Sequence, residues 1–405
     1  MGIMHSSSSA TSGPAGGDLS GDYPNPTVAT VGGVGASAIV ALLLASGVGA
    51  TLAFGTGMDG SFDLNGTNTY PQMTLAGSTY SINATVVLNA LNLTVRTGIT
   101  LEVRGEPVFI AGQLTTEGTA RVSADAGTAT SGSGGAGGSG ALPAAINSAT
   151  TNAMYCGGYT GANGRSTNAI GLNASALSNS VWMGGAGGGG GTGVGTATQA
   201  GGNGGSGLTS QQWKPHYHGA FNTVLINGAV IGSAGRLQIA GGTGGGSGGS
   251  AIGGGGLGSS GAGGGGGVLV IVAARANLSS GTVFSANGTA GAAAAVGGTG
   301  NGGWGGAGGG GGGVVLLMLG DMDDAGSAPV VQAKGGAGGT GGYIGTGTST
   351  GGVGGAGGRA TVIIGGWAGA APSIDVSGGT GGAGANGGAA GSNGAAGVSS
   401  SLILG

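Results

Sequence analysis

Gly265-Gly-Gly-Val-Leu-Val-Ile-Val272, Gly311-Gly-Gly-Val-Val-Leu-Leu-Met318 and Gly357-Gly-Arg-Ala-Thr-Val-Ile-Ile364 begin 46 residues apart. Each apolar run is followed by a turn-like stretch and a second short strand signal: Val283-Phe-Ser285, Val330-Val-Gln332 and Ser373-Ile-Asp375. Each of these opens a new glycine tract. A unit this small cannot bury its apolar face alone, so successive copies must stack on one another. The chain therefore reads as an elongated repeat protein.

Upstream, over Asn92 to Gly118, the period is two. Leu93, Val95, Ile99, Leu101, Val103, Phe109 and Leu114 recur on alternating positions between glycine corners, the pattern of short strands half buried on one face. These are expected to be β-solenoid-like rungs. In the tracts the period becomes three: glycine falls at 297, 300, 303, 306, 309 and 312, and again at 378, 381, 384 and 387. Three residues per turn is polyproline-II geometry, and glycine on one edge lets backbones approach closely enough to hydrogen-bond. The expected fold class is mostly β and polyglycine II, with packed Gly-rich helices on solenoid-like rungs and a short N-terminal helix. Gly306 and Gly384 are expected to be interior, and Ala307 and Ala385 to tolerate serine. The alternative is that the tracts are flexible linkers. Collagen does not fit, because only nine prolines are present and the triplets break.

Glycine supplies 113 of 405 residues and charged residues 5%, with a net charge of -3. That leaves no basic footprint for nucleic acid and no polybasic segment for an anionic membrane. The run Ala36 to Ser46 is shorter than the about 20 residues a spanning helix needs, so no membrane insertion is expected. Ser37 can cap a helix over Ala38 to Ala45 that stops at Gly47. The lone Cys156 cannot form an intramolecular disulfide and reads as a small buried filler. Met1 to Ala10 lacks the basic and apolar regions of a secretory signal.

Ala15-Gly-Gly-Asp-Leu-Ser-Gly-Asp-Tyr-Pro-Asn-Pro-Thr-Val-Ala29 cannot be helical, since Pro24 and Pro26 push the residues before them to extended geometry. This stretch resembles a motif of bacteriophage tail-fibre and other fibrous virion proteins, carried here by Asp18, Leu19, Tyr23, Pro24 and Pro26. Residues 54 to 140 resemble a glycine-rich phage structural family, and the tracts resemble, in composition, the glycine-rich adhesins at phage fibre tips. The resemblance implies residues 1-52 as a virion-attachment and trimerisation segment, with the helix bundled in a homotrimer; a helix buried within one chain is the alternative. Residues 53-126 form a β-rich domain and 127-405 a glycine-rich repeat domain. The implied partners are other copies of the chain, other virion proteins through the N-terminus, and a host-surface glycan or protein. The implied location is the virion, as a tail or capsid fibre, extracellular after lysis.

Two stretches depart from low complexity, Ala141 to Met183 and Leu208 to Ile239. Their aromatics Tyr155, Tyr159, Trp182, Trp213 and Tyr217 are candidates for receptor contact, with core packing the alternative for each. His216 and His218 would share a face of a strand, so a trimer could hold a transition metal there; polar surface is the alternative, and otherwise no cofactor is expected. Asp321-Met-Asp-Asp-Ala-Gly326 starts like a calcium loop but lacks its later ligands, so a solvated turn is expected. No Ser/His/acid or paired-carboxylate pattern is readable, so the chain is expected not to be an enzyme. The leading expectation is a fibre or receptor-binding protein. A purely structural capsid fibre or decoration protein, and a secreted ice-binding or cell-wall protein, are the alternatives.

Overall fold

A computed structural model describes residues 54–83, 86–104, 107–131, 158–165, 169–174, 182–195, 198–205, 239–252, 259–294, 301–324, 328–368 and 371–403, and the short strands at 19–20, 27–28, 30–31, 34–35 and 155–156. The chain divides into two compact units, Met1–Ala53 and Phe54–Gly405. In the first, Leu19–Ser20 pairs antiparallel with Thr27–Val28, and Thr30–Val31 with Val34–Gly35. Every named element among the described residues is a strand. The helix expected over Ala38 to Ala45 lies outside them.

The second unit is built on two sheets. Its strands are β1 (Ser61–Leu64), β2 (Met73–Ala76), β3 (Thr79–Ile82), β4 (Leu88–Ala90), β5 (Asn92–Val95), β6 (Thr100–Glu102), β7 (Val108–Thr116), β8 (Arg121–Ser123), β9 (Val268–Leu278), β10 (Val283–Ser285), β11 (Val314–Asp324), β12 (Val330–Gln332), β13 (Arg359–Ala368), β14 (Ser373–Asp375) and β15 (Val398–Ile403). The long-strand sheet runs β1-β5-β7-β9-β11-β13-β15, with β4 also on β7, and is parallel throughout. The short-strand sheet runs β3-β6-β8-β10-β12-β14 in parallel, closed at one end by the antiparallel β2. From β5 onward the strands of these two sheets alternate in chain order, and short strands of three further sheets lie in the glycine-rich stretches between them. Gly98 and Gly118, at φ 74° and 50°, turn the corners from β5 to β6 and from β7 to β8, where a side chain would be strained.

The core lies between the sheets as two facing ladders. Phe62, Leu93, Leu114, Ala276 and Met322 stand in register on one, and Tyr80, Leu101, Val122, Phe284 and Val331 on the other, all buried in one cluster. Alternation thus selects Leu93, Val95, Ile99, Leu101, Val103 and Leu114 for the core as expected. Phe109 departs from this: its neighbours Val108 and Ile110 point inward, and Phe109 packs on the outer face.

Four long strands bend at a small residue: β7 shifts register on β9 around Ala111 and Gly112, and β9, β11 and β13 skip one pair at Ala274, Gly320 and Gly365 without changing register. A methyl on Gly320 would lie well under 3.0 Å from the carbonyl oxygen of Ala274, so the bend admits no larger residue. Before the bend the outward residues Val268, Val270, Val272, Val314 and Leu316 are apolar and buried. Beyond it the outward residues of β7, β9 and β11 are polar.

β11 pairs with β13 at a spacing of 45 residues and not the repeat's 46, with Val314 opposite Arg359. The reason is the core: the observed register puts Val315 and Leu317 beside Ala360 and Val362, all inward. A slip of one would turn Thr361 inward and Val362 and Ile364 outward. Asp321 to Asp323, expected in a turn, lie in β11.

The β1 edge of the long-strand sheet is capped by side chains. The Asp63 amide donates to Tyr70 Oη (2.8 Å), the Tyr70 hydroxyl donates to Asp63 O (2.9 Å), and Tyr80 Oη donates to Asn68 O (2.8 Å). The Asp63 carboxylate takes hydrogen bonds from Arg96, which hold its pKa below the usual range.

The glycine tracts pack on one another rather than looping freely. Around residues 304–313, hydrogen bonding repeats every three residues. The amides of Gly305, Gly308 and Gly311 donate to the carbonyls of Gly249, Gly246 and Thr243 (2.8–2.9 Å), and those of Gly306, Gly309 and Gly312 to Thr350, Val353 and Ala356 (2.9–3.0 Å). Gly310 and Gly313 donate to Thr289 and Ala286. In the other direction, Gly185, Gly188 and Gly191 donate into the tract at 2.7 Å, as do Gly263 and Gly266 (2.9 Å) and Gly336 and Gly339. Six neighbouring segments, 185–191, 243–249, 263–266, 286–289, 336–339 and 350–356, thus surround it. Glycine serves here for its missing Cβ and not for a left-handed backbone, since none of the described tract glycines from 158 to 341 has a positive φ. A methyl on Gly306 or Gly308 would sit well under 3.0 Å from the carbonyl oxygen of Gly339 or Gly188. Ala307 is also interior: it is fully buried against Ala162 and Ala262, so it is not the tolerant outward position its place between glycines suggests.

Candidate binding surface

The sequence candidates divide into three groups. Tyr155 and Trp182 flank Ile239 in a three-stranded parallel sheet, at the same register position. Their backbones are therefore about 10 Å apart, two strand spacings. Tyr159 is 6% exposed, so its ring offers no surface and is not carried further as a contact. Trp213, Tyr217, His216 and His218 lie outside the described residues, as do Asp18, Tyr23, Pro24 and Pro26. Leu19 pairs with Val28. Among the described residues no group of three or more His, Cys, Asp or Glu side chains could hold a metal.

A polar surface that the sequence reading did not single out lies on the long-strand sheet beyond the bends. Parallel register aligns two outward rows across β1, β5, β7, β9 and β11. One is Ser61, Asn92, Gln113, Arg275 and Asp321, and every member is exposed. The other is Asp63, Thr94, Thr115, Asn277 and Asp323. Inward neighbours Leu114, Ala276 and Met322 anchor the strands between the rows. Adjacent side chains in a row stand about 4.8 Å apart, so five strands span about 19 Å.

The bend in β7 opens a depression of about 340 Å³ in this surface, lined by Asn92, Ala111, Gly112, Gln113, Ala274 and Arg275. Asn92 is held at its edge: its Nδ2 donates to Ser61 Oγ (3.2 Å) and its Oδ1 accepts the Gln113 amide (3.0 Å). Arg96, Arg104, Arg121 and Lys334 each contact a carboxylate. Arg275 lies in register with Asp321, yet no ion pair joins them, and Asp323 has none either among the described residues. The signal was present in the sequence as small-polar-apolar-polar: Gly112-Gln-Leu-Thr115, Ala274-Arg-Ala-Asn277 and Gly320-Asp-Met-Asp323.

In comparisons with protein families, curated proteins and solved structures, no family model, curated protein or solved structure matches this chain.

Proposed function

We propose that this chain is a non-catalytic virion fibre component that attaches a phage to its host surface. Its second unit reads as a two-sheet β-solenoid whose coils pass through a lattice of polyglycine-II helices. The three-residue hydrogen-bond period and the six neighbours of tract 304–313 support the lattice, and the strict alternation between two parallel sheets supports the solenoid.

The observation that carries the attachment reading is the division of labour along the chain. The virion-protein motif falls within Met1–Ala53, a unit separate from the densely hydrogen-bonded body. Such an arrangement suits a segment that docks to the particle and a rigid body that presents a surface. The docking segment has little to bury as a monomer, so the reading includes a homotrimer.

Removing residues 1-52 tests it. The remaining body is expected to fold, to lose the trimeric state of the intact chain in sedimentation, and to fail to incorporate into virions. Purified intact protein should bind host cells and compete with infection. An intact chain that sediments as a monomer would overturn the trimer. Intact protein that neither binds cells nor competes would leave the purely structural, decoration reading.

A further inference from the structure

The two polar rows across the long-strand sheet present donors and acceptors in alternation and nothing apolar between them. The Arg275 guanidinium only donates, the Asp321 and Asp323 carboxylates only accept, and the Asn92, Gln113 and Asn277 amides do both. With Asp63 held in its ion pair with Arg96, the remaining Arg275, Asp321 and Asp323 sum to a single negative charge, which selects against polyanions such as nucleic acid or acidic polysaccharide. None of the side chains of the two rows is aromatic or aliphatic, and protein interfaces take most of their affinity from such anchors. A partner that matches it is therefore uncharged, extended and dense in hydroxyls.

We propose that this strip, centred on the depression between Asn92, Gln113 and Arg275, is a binding site for a neutral oligosaccharide. The proposal rests on the attachment reading above and assigns it a site and a ligand class. Successive sugar residues would lie across the strands. Arg275 and Gln113 donate to ring and hydroxyl oxygens, and Asp321 and Asp323 accept from hydroxyl groups. The Asn92 side chain, fixed by Ser61 Oγ and the Gln113 amide, forms the wall of the depression. An arginine and an aspartate that stand in register, neither with an ion pair among the described residues, suit this use, because vicinal hydroxyls can bridge what the side chains leave unsatisfied.

The test uses the full chain and its Arg275→Ala, Asp321→Asn and Trp182→Ala variants against a panel of neutral oligosaccharides and hexuronate oligomers, with host-cell binding measured in parallel. All three substituted proteins are first checked by thermal unfolding. At least one neutral oligosaccharide is expected to bind the intact chain. Arg275→Ala and Asp321→Asn should each weaken that binding about tenfold without moving the unfolding midpoint, while Trp182→Ala leaves it unchanged. Binding that is indifferent to Arg275 and Asp321, binding restricted to hexuronates, or loss only with Trp182→Ala would overturn the site. Host-cell binding without any binding to the neutral panel would also overturn it while leaving the attachment reading intact. Failure of host-cell binding with Arg275-dependent binding to the neutral panel would do the reverse.

Discussion

Replacing Gly306 by alanine should abolish the folded body, although it adds one methyl group to a residue between glycines. The added Cβ would lie well under 3.0 Å from the carbonyl oxygen of Gly339, and next to the backbone of Gly352. Nothing flexible is available to yield, because each of these neighbours is itself hydrogen-bonded into the tract packing: Gly339 donates to Ala307 O, and Gly306 to Thr350 O. Separating the two backbones would break the three-residue period on both sides. A loss above about 4 kcal/mol is expected, comparable to much of the stability of a typical domain. Soluble yield and the unfolding midpoint are the measurements. Ala383→Ser, on an exposed position of a peripheral tract, should be silent in both. Wild-type stability of Gly306→Ala would mean that the tract is not packed.

Truncating Trp304 to alanine should cost about 3–5 kcal/mol, the range for emptying a large aromatic site. Trp304 is 1% exposed, and its backbone pairs with Ser250 on one side and Gly342 on the other. Trp304→Phe should cost far less, under about 1.5 kcal/mol. The ring volume is largely retained, and the indole Nε1 has no hydrogen-bond partner among the described residues to lose. Denaturant midpoints at constant m-value separate the two. Equal, small effects would place the Trp304 ring outside the core.

The β-rich body was legible where side chains carry the information. The apolar runs at Val268, Val314 and Arg359 do become neighbouring long strands, and Val283, Val330 and Ser373 neighbouring short ones. Glycines carry no such information: their 46-residue spacing does not give the pairing of β13, whose register inward Ala360 and Val362 set. The same silence hid the tract neighbours. Gly185 and Gly312 bond across more than a hundred residues, and nothing in either residue type distinguishes that pairing from others. The polar rows were written in the sequence, but their significance depends on register across five strands and on which half of the outer face is uncovered. Neither can be read from one strand at a time. Low complexity also drew attention to the aromatic-rich stretches instead, where Tyr159 turned out to be buried.

Native-state hydrogen exchange tests the central claim, that the glycine tracts are a packed, hydrogen-bonded lattice and not linkers. Amides that open only when the whole unit unfolds exchange with the global stability, whereas unpacked segments exchange freely. The account predicts that Gly305 to Gly313 exchange as slowly as Val270 and Leu317 in the long strands, with the same dependence on denaturant. Exchange of Gly305 to Gly313 at the rate of an unstructured chain, while Val270 and Leu317 stay protected, would contradict it.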